Sequence, residues 1–306
     1  MSAVEEDIYS TPSILRRTIA RVEEHEGSFA STLRGPMIFL GCGSSYCVGA
    51  AAATLYEMEC GAPAQGMIAS QYRARPGWTH LAISRTGKTT ELVEAMRRAR
   101  KVHARVALIR GDPDSPAEDY ADVILPLEFA PERGVVQTRF ITAALLALRL
   151  LIGGDTVSAT LRAVPSQIER ALDEFDPTPL TSFEHVVFLG REWRYGLAAS
   201  AALAVQETAL LVSEGHQTLD YRHGPIATAD ENTLVWCLDP PDDAISAAVL
   251  DDVRATGATV HCIDGDPLLS LVQIQLLAVR MAESRGIDPD VPRHLKRTIV
   301  LPATGT

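Results

Sequence analysis

Two short turns rich in glycine and hydroxyl groups hold the residues best suited to chemistry. In Leu40-Gly-Cys-Gly-Ser-Ser-Tyr46 an apolar strand breaks into a turn that opens an alanine-rich helix. Glycines let the backbone approach an anion closely, and the unpaired N–H groups and positive dipole end of the following helix attract it. The spacing is not that of a P-loop, and the third glycine of the dinucleotide fingerprint is missing. A second turn, Ser84-Arg-Thr-Gly-Lys-Thr89, offers the hydroxyls of Ser84, Thr86 and Thr89, the backbone around Gly87, and the charges of Arg85 and Lys88. Each turn taken alone also reads as an ordinary capped helix start, with Thr89 or Thr90 as the cap. Placed after successive parallel strands, the two converge at the carboxyl edge of one sheet, where open α/β folds bind ligands. That convergence favours a phosphate site.

Further on, Glu207 sits in the apolar stretch Gly196–Val212, with Leu203, Ala204, Leu210 and Leu211 at helical spacing. Desolvation on such a face raises a carboxyl pKa toward neutrality and suits the group to moving protons. A buried glutamate paired with an arginine such as Arg222 is the alternative reading. His223, in Asp220-Tyr-Arg-His-Gly-Pro225, titrates in the right range for proton transfer, and a histidine before Gly-Pro also reads as a turn residue. Pro292-Arg-His-Leu-Lys-Arg-Thr298 brings a basic cluster, with Lys296 and Arg297, into a short tail.

The elements that must carry these residues alternate. Strands at Met37–Leu40, Gly66–Ala69, Thr79–Ile83, Arg105–Arg110 and Val123–Leu125 are separated by helices at Ser45–Met58 and Thr89–Lys101, and a helix at Thr138–Ile152 follows. This order predicts an α/β fold with a parallel sheet covered on both faces. An N-terminal helix, with Thr11 as its N-cap, precedes them. After a helix at Pro165–Phe175 and the link Asp176-Pro-Thr-Pro179, the pattern restarts at His185–Leu189. Ile38-Phe-Leu-Gly41 matches Val187-Phe-Leu-Gly190, and Tyr46 matches Tyr195, giving a repeat of about 149 residues. In the second copy the glycine–serine turn has become Arg191-Glu-Trp-Arg194, so phosphate binding is not expected there. The predicted organisation is an N-terminal helical segment (1–30), a phosphate-binding domain (31–154), a linker helix (155–179), a second domain (180–287) and a tail (288–306) that closes over the site.

The 306 residues carry a formal charge of −11, which argues against a broad nucleic-acid surface. Five cysteines, Cys42, Cys47, Cys60, Cys237 and Cys262, are scattered and in no metal-ligand spacing, as suits a reducing cytoplasm. No apolar run reaches membrane-spanning length, and the acidic N-terminus is unlike a signal peptide. A cytoplasmic protein with no metal, no cofactor and no membrane or nucleic-acid partner is expected.

Together these segments resemble the sugar isomerase (SIS) domain family, most closely its double-domain members. Five blocks stand in family order: Leu40–Tyr46, Ile68-Ala-Ser-Gln-Tyr-Arg73, Ser84–Thr89, Gly134-Val-Val-Gln-Thr-Arg139, and the Glu207 helix running to Pro225. The resemblance implies two tandem SIS domains, each a flavodoxin-like three-layer sandwich. It implies that Ser45, Ser84, Arg85, Thr86 and Thr89 hold the 6-phosphate of a sugar, that Cys42, Gly43 and Ser44 shape the first turn, and that Val135 and Gln137 contact the sugar. Glu207 falls on the base that shuttles a proton between C1 and C2. His223 falls on the histidine that opens the ring and reaches into the partner's site, which implies a homodimer.

Two departures stand out. The family's phosphate loop commonly reads Ser-Gln-Ser-Gly-Glu-Thr, where this chain carries Arg85 and Lys88. The family's tail lysine aligns with Arg297, which cannot form an imine, while Lys296 lies one place earlier. About 36 residues precede the first strand, too few for a glutaminase domain. The implied activity is therefore isomerisation with deamination of a 6-phospho-amino sugar such as glucosamine-6-phosphate. Deglycation of fructosamine-6-phosphate, or sugar-phosphate sensing without catalysis, are the alternatives.

Overall fold

The computed structural model describes residues 1–302. In chain order the elements are α1 (Ala3–Tyr9), α2 (Thr11–Ala30), β1 (Met37–Gly41), α3 (Ser44–Cys60), β2 (Ala64–Ile68), β3 (Thr79–Ser84), α4 (Thr90–Lys101), β4 (Val106–Arg110), β5 (Val123–Pro126) and α5 (Arg139–Ile152). There follow α6 (Gly154–Leu161), α7 (Val164–Glu174), β6 (His185–Gly190), α8 (Arg194–Ala209), β7 (Val212–Gln217), β8 (Thr233–Cys237), α9 (Ala244–Ala255), β9 (Thr259–Cys262) and α10 (Pro267–Ser284).

The chain forms two compact units. The first comprises Ile14–Pro131, Ala143–Leu161 and the tail from His294; the second comprises Met1–Ser13, Glu132–Thr142 and Arg162–Arg293. Both are interleaved in sequence, where the pattern of elements alone suggests contiguous blocks.

The first unit holds a five-stranded parallel sheet of order β2-β1-β3-β4-β5. Its central strands β1, β3 and β4 are buried and mostly apolar because both faces are covered. On one face Ile38, Leu40, Ala82, Val106 and Leu108 meet Leu92, Ala95, Met96 and Ala99, which recur at helical spacing along α4. The basic last turn of α4 (Arg98, Arg100, Lys101) complements its dipole.

The second unit holds a four-stranded parallel sheet of order β7-β6-β8-β9. Val187, Leu189, Val235 and Cys237 pack there against Val249, Leu250 and Val253 of α9.

The sequence repeat is visible as a repeated close approach of helix to strand. A Cβ on Gly41 would lie 2.4 Å from the Ser45 carbonyl carbon, and one on Gly190 would lie 2.5 Å from the Arg194 carbonyl oxygen. Likewise Gly66 lets the Ala50 Cα come within 2.5 Å of that position, and Gly215 admits the Ala199 Cα at 2.7 Å. Each member of a pair stands 149 positions from its counterpart.

Two expectations are corrected. The apolar helix around Glu207 stops at Ala209, not Val212, because Leu210 turns left-handed (φ 55°) and Val212–Gln217 leaves as strand β7. Thr11 does not cap a helix; it lies inside α2 and its hydroxyl donates to the Asp7 carbonyl of the separate helix α1.

His80 on β3 is fully buried, its Nε2 3.0 Å from the Tyr72 hydroxyl. Burial pushes its pKa down from 6.5 to about 4. The folded protein keeps the ring neutral while the unfolded chain takes up a proton below pH 6.5, so stability is full above that value and falls as pH drops toward 4. The loss approaches about 3 kcal/mol at the acid end. Urea midpoints measured from pH 7 to 4 are expected to fall more steeply for the wild type than for His80→Gln; parallel profiles would refute this origin.

Candidate functional site

In the first unit the parallel register pairs Leu40 with Ala82, so β1 and β3 end side by side and the two hydroxyl-rich turns leave the sheet together. This is the point at which strand order reverses, the usual ligand crevice of such sheets. Gly43 (φ 54°, ψ −132°) occupies the N-cap of α3, which therefore starts without a side-chain cap. Ser44 and Ser45 are buried in its first turn.

Thr89 occupies the N-cap of α4 and its side chain makes no capping hydrogen bond either. The alternative of a self-capped helix is thus not realised at Thr89. Both helix starts lack side-chain caps and are flanked by serine and threonine, which leaves their first N–H groups without a capping side chain.

The second turn is held from behind. Ser84 Oγ accepts from Gly87 N at 2.9 Å, and Thr86 Oγ1 accepts from Lys88 N at 3.3 Å. Gly111 N and Asp112 N donate to the Arg85 carbonyl at 3.0 and 2.6 Å, and Ala117 N donates to the Gly87 carbonyl at 3.2 Å. Cys42 is half-buried, and its thiol is pushed up to about 11, first by burial and then by the charge of Glu91. The thiol is thus held neutral near pH 7.

The tail lies on this same turn. Arg85, expected to face phosphate, is buried and its Nη2 donates to the Arg297 carbonyl at 2.8 Å. Arg297 in turn reaches Asp112 at 3.0 Å. Thr90 N donates to the Ile299 carbonyl at 3.3 Å, and Thr90 Oγ1 accepts from Leu301 N at 2.9 Å. Lys296 and Lys88 are exposed. Asp112 and Thr90 were not legible as tail anchors, since their partners lie some two hundred positions away.

In the second unit Glu207 lies on α8, half-buried rather than sunk in an apolar face. Arg222, its expected alternative partner, pairs with Asp252 at 3.2 Å. His223 ends a 3-10 turn (Asp220–His223) and is exposed, with Gly224 (φ 144°) reversing the chain behind it. Val135 and Gln137 lie in the irregular segment before α5; Gln137 Oε1 is buried and accepts no hydrogen bond among the described residues.

At the carboxyl edge of the second sheet, the position matching the first unit's turns is filled by protein. Buried Asp239, just after β8, accepts from Arg191 N (2.8 Å), Thr218 Oγ1 (2.6 Å) and Ser246 Oγ (2.8 Å). Asp243 caps α9 through Ser246 N and pairs with Arg191 at 2.6 Å. Hydrogen bonds from Ser246 and Arg191 hold the Asp243 pKa down to about 2. Removing the Asp239 acceptor strands Arg191 N and Thr218 Oγ1, while Ser246 Oγ keeps Asp243 at 2.6 Å, so Asp239→Ala is expected to lower stability by about 2–4 kcal/mol. Urea denaturation checks this, with Asp239→Asn falling between the variant and the wild type.

Among the described residues, no group of three or more His, Cys, Asp or Glu side chains is arranged to hold a metal ion, and no helix is long and apolar enough to cross a membrane.

The first unit is thus an α/β unit with two hydroxyl-lined helix starts at the switch point of its parallel sheet. Residues 34–153 match the family model described as SIS domain. The chain as a whole is similar to glutamine–fructose-6-phosphate aminotransferase (isomerizing) of Methanothermobacter thermautotrophicus, at 26% identity with 96% of this chain and 57% of the relative covered. It is similar to the enzyme of that description from Corynebacterium diphtheriae at 27% identity, covering 97% and 58%. The chain thus spans less than two thirds of the length of these curated relatives.

Among solved structures, glucosamine-6-phosphate deaminase from Thermotoga maritima superposes with a TM-score of 0.85 at 26% identity, over 98% of this chain and 100% of that one. Tagatose-6-phosphate ketose/aldose isomerase from Escherichia coli gives 0.81 at 18% identity, over 99% and 98%, a likeness of fold alone.

Proposed function

We propose that this protein is a phosphosugar isomerase that deaminates a 6-phospho-amino sugar. The observation that carries the reading is the pair of turns at Cys42–Ser45 and Ser84–Thr89, whose helix starts lack side-chain caps and whose surroundings offer hydroxyls. Full-length likeness to a glucosamine-6-phosphate deaminase supports the choice of substrate class.

In this reading Ser45, Ser84, Thr86 and Thr89 hold the phosphate, and Arg85 contributes by holding the tail on the turn. His223 moves a proton from the anomeric hydroxyl to the ring oxygen, freeing the C1 aldehyde. Its exposure fits service to the neighbouring subunit of a homodimer. The Glu207 carboxylate removes the C2 proton to give an enolamine and returns it to C1. The resulting C2 imine adds water and releases ammonia, leaving the 2-ketose. Of the two tail residues, Lys296 is the one amine able to form an imine with the open-chain ketose; Arg297 is engaged by Asp112. The same architecture, a second SIS domain included, accounts for the repeat across the two units.

The test is incubation with glucosamine-6-phosphate, galactosamine-6-phosphate and fructosamine-6-phosphate, following ammonia and ketose. Ketose with equimolar ammonia from an aldosamine phosphate is expected. Isomerised sugar without ammonia would sink deamination, turnover of fructosamine-6-phosphate alone would favour deglycation, and binding with no turnover would favour a sensor.

A further inference from the structure

The segment 133–138, which carries Val135 and Gln137, has no regular secondary structure of its own. Carboxylates hold its backbone at both ends. Asp7 of α1, fully buried, accepts through Oδ2 from Arg133 N at 2.7 Å and Gly134 N at 3.0 Å. Its other oxygen lies 2.9 Å from Arg139 Nη2, at the start of α5. At the far end Glu132 accepts from Thr138 N at 2.5 Å and Phe140 N at 3.0 Å.

The helix bearing Asp7 is itself anchored: Ala3 N and Val4 N donate to the Asp290 carboxylate at 2.7 and 2.9 Å. Val4 packs so closely that a Cβ on Gly134 would fall 2.6 Å from its Cγ2. A buried charge sustained by two amides and one guanidinium makes this a rigid mount. What it mounts includes Gln137, whose Oε1 is buried and accepts no hydrogen bond among the described residues.

We propose that Asp7 is a positioning residue for the sugar: through Arg133, Gly134 and Arg139 it fixes the backbone from which Val135 and Gln137 meet the substrate. This rests on the reading that these two residues contact the sugar. Asp7 touches no reacting atom, and its removal should be felt in recognition of the sugar, not of phosphate.

The experiment compares Asp7→Asn, Gln137→Ala and the double variant. KM for the amino-sugar phosphate turned over by the wild type is measured, together with Kd for inorganic phosphate. Asp7→Asn is expected to raise KM at least tenfold with phosphate Kd within twofold. The double variant is expected to be no worse than Gln137→Ala, because Asp7 acts through the same loop. A KM within twofold of wild type in Asp7→Asn, with Gln137→Ala impaired, overturns the positioning role and leaves the sugar-contact reading intact. If Gln137→Ala is itself unimpaired while Ser45→Ala is not, that reading fails and the proposal with it. Parallel loss of phosphate and sugar affinity marks general damage and also overturns the proposal. Should Asp7→Asn not fold, Arg139→Gln enters the same comparison with the same outcomes.

Discussion

Substituting Glu207 by glutamine is expected to lower kcat for an amino-sugar phosphate by about 10²- to 10⁴-fold, the range over which a positioned general base acts. Glutamine keeps the shape and a carbonyl acceptor but cannot take up the C2 proton. Affinity for the phosphosugar should change little, since the proposed anion contacts lie in other residues. The measurement is steady-state turnover alongside calorimetric binding of the unreacted sugar. Solvent tritium exchange into C2 gives a second readout, because the exchange is the proton abstraction itself. Turnover and exchange both within tenfold of wild type would remove Glu207 from the reaction.

Gly87→Ala should break the anion cradle from its second turn. Gly87 has φ +60°, and an added Cβ would lie 2.2 Å from Ser115 Oγ and 2.4 Å from Ser115 Cβ. The left-handed backbone costs an alanine about 1–2 kcal/mol, and overpacking adds about 1–3 kcal/mol. The turn must shift to relieve the clash, carrying Ser84, Thr86 and Thr89 with it. Losing one or two charged hydrogen bonds, each about 1.5–3 kcal/mol, lowers phosphosugar affinity by about 100-fold. Gly61→Ala supplies the control: φ is +65° with nothing within 4 Å of the added atom, and it lies at the far end of α3. Affinity is expected to drop in the first variant and hold in the second. Equal affinity in both would mean the second turn takes no part in binding.

Much of the frame could be read from residue order. The alternation of apolar runs and helical patterns places β1, β3 and β4 within a residue or so, because buried parallel strands leave uninterrupted apolar runs. The repeat was legible for a steric reason: Gly41 and Gly190 both admit a helix backbone that any side chain would exclude.

What escaped reading depends on partners remote in sequence or on backbone states that residue type does not announce. A left-handed leucine at 210 ends α8, and the polar edge strand β7 lacks an apolar run to betray it. Helix α1 is short, and its meaning lies in Asp7 reaching a loop more than a hundred residues away. Arg85 reads as a phosphate ligand from its neighbours, and its hydrogen bond to the Arg297 carbonyl, a partner 212 positions away, has no local signal. At Glu207 the spacing suggested a deeper burial than the half-exposed position it has.

The carboxylate of Asp239 gives the two halves different thermodynamic dependences. In the second unit the acceptor at the sheet edge is covalently part of the chain, always present at unit occupancy and independent of the surroundings. In the first unit, on the reading proposed above, the acceptor is borrowed from solution, and its contribution grows as the logarithm of metabolite concentration. On that reading one unit is stabilised by its genetic inheritance and the other by the sugar-phosphate pool. The folded population of the first unit would then follow the supply of the compound it consumes.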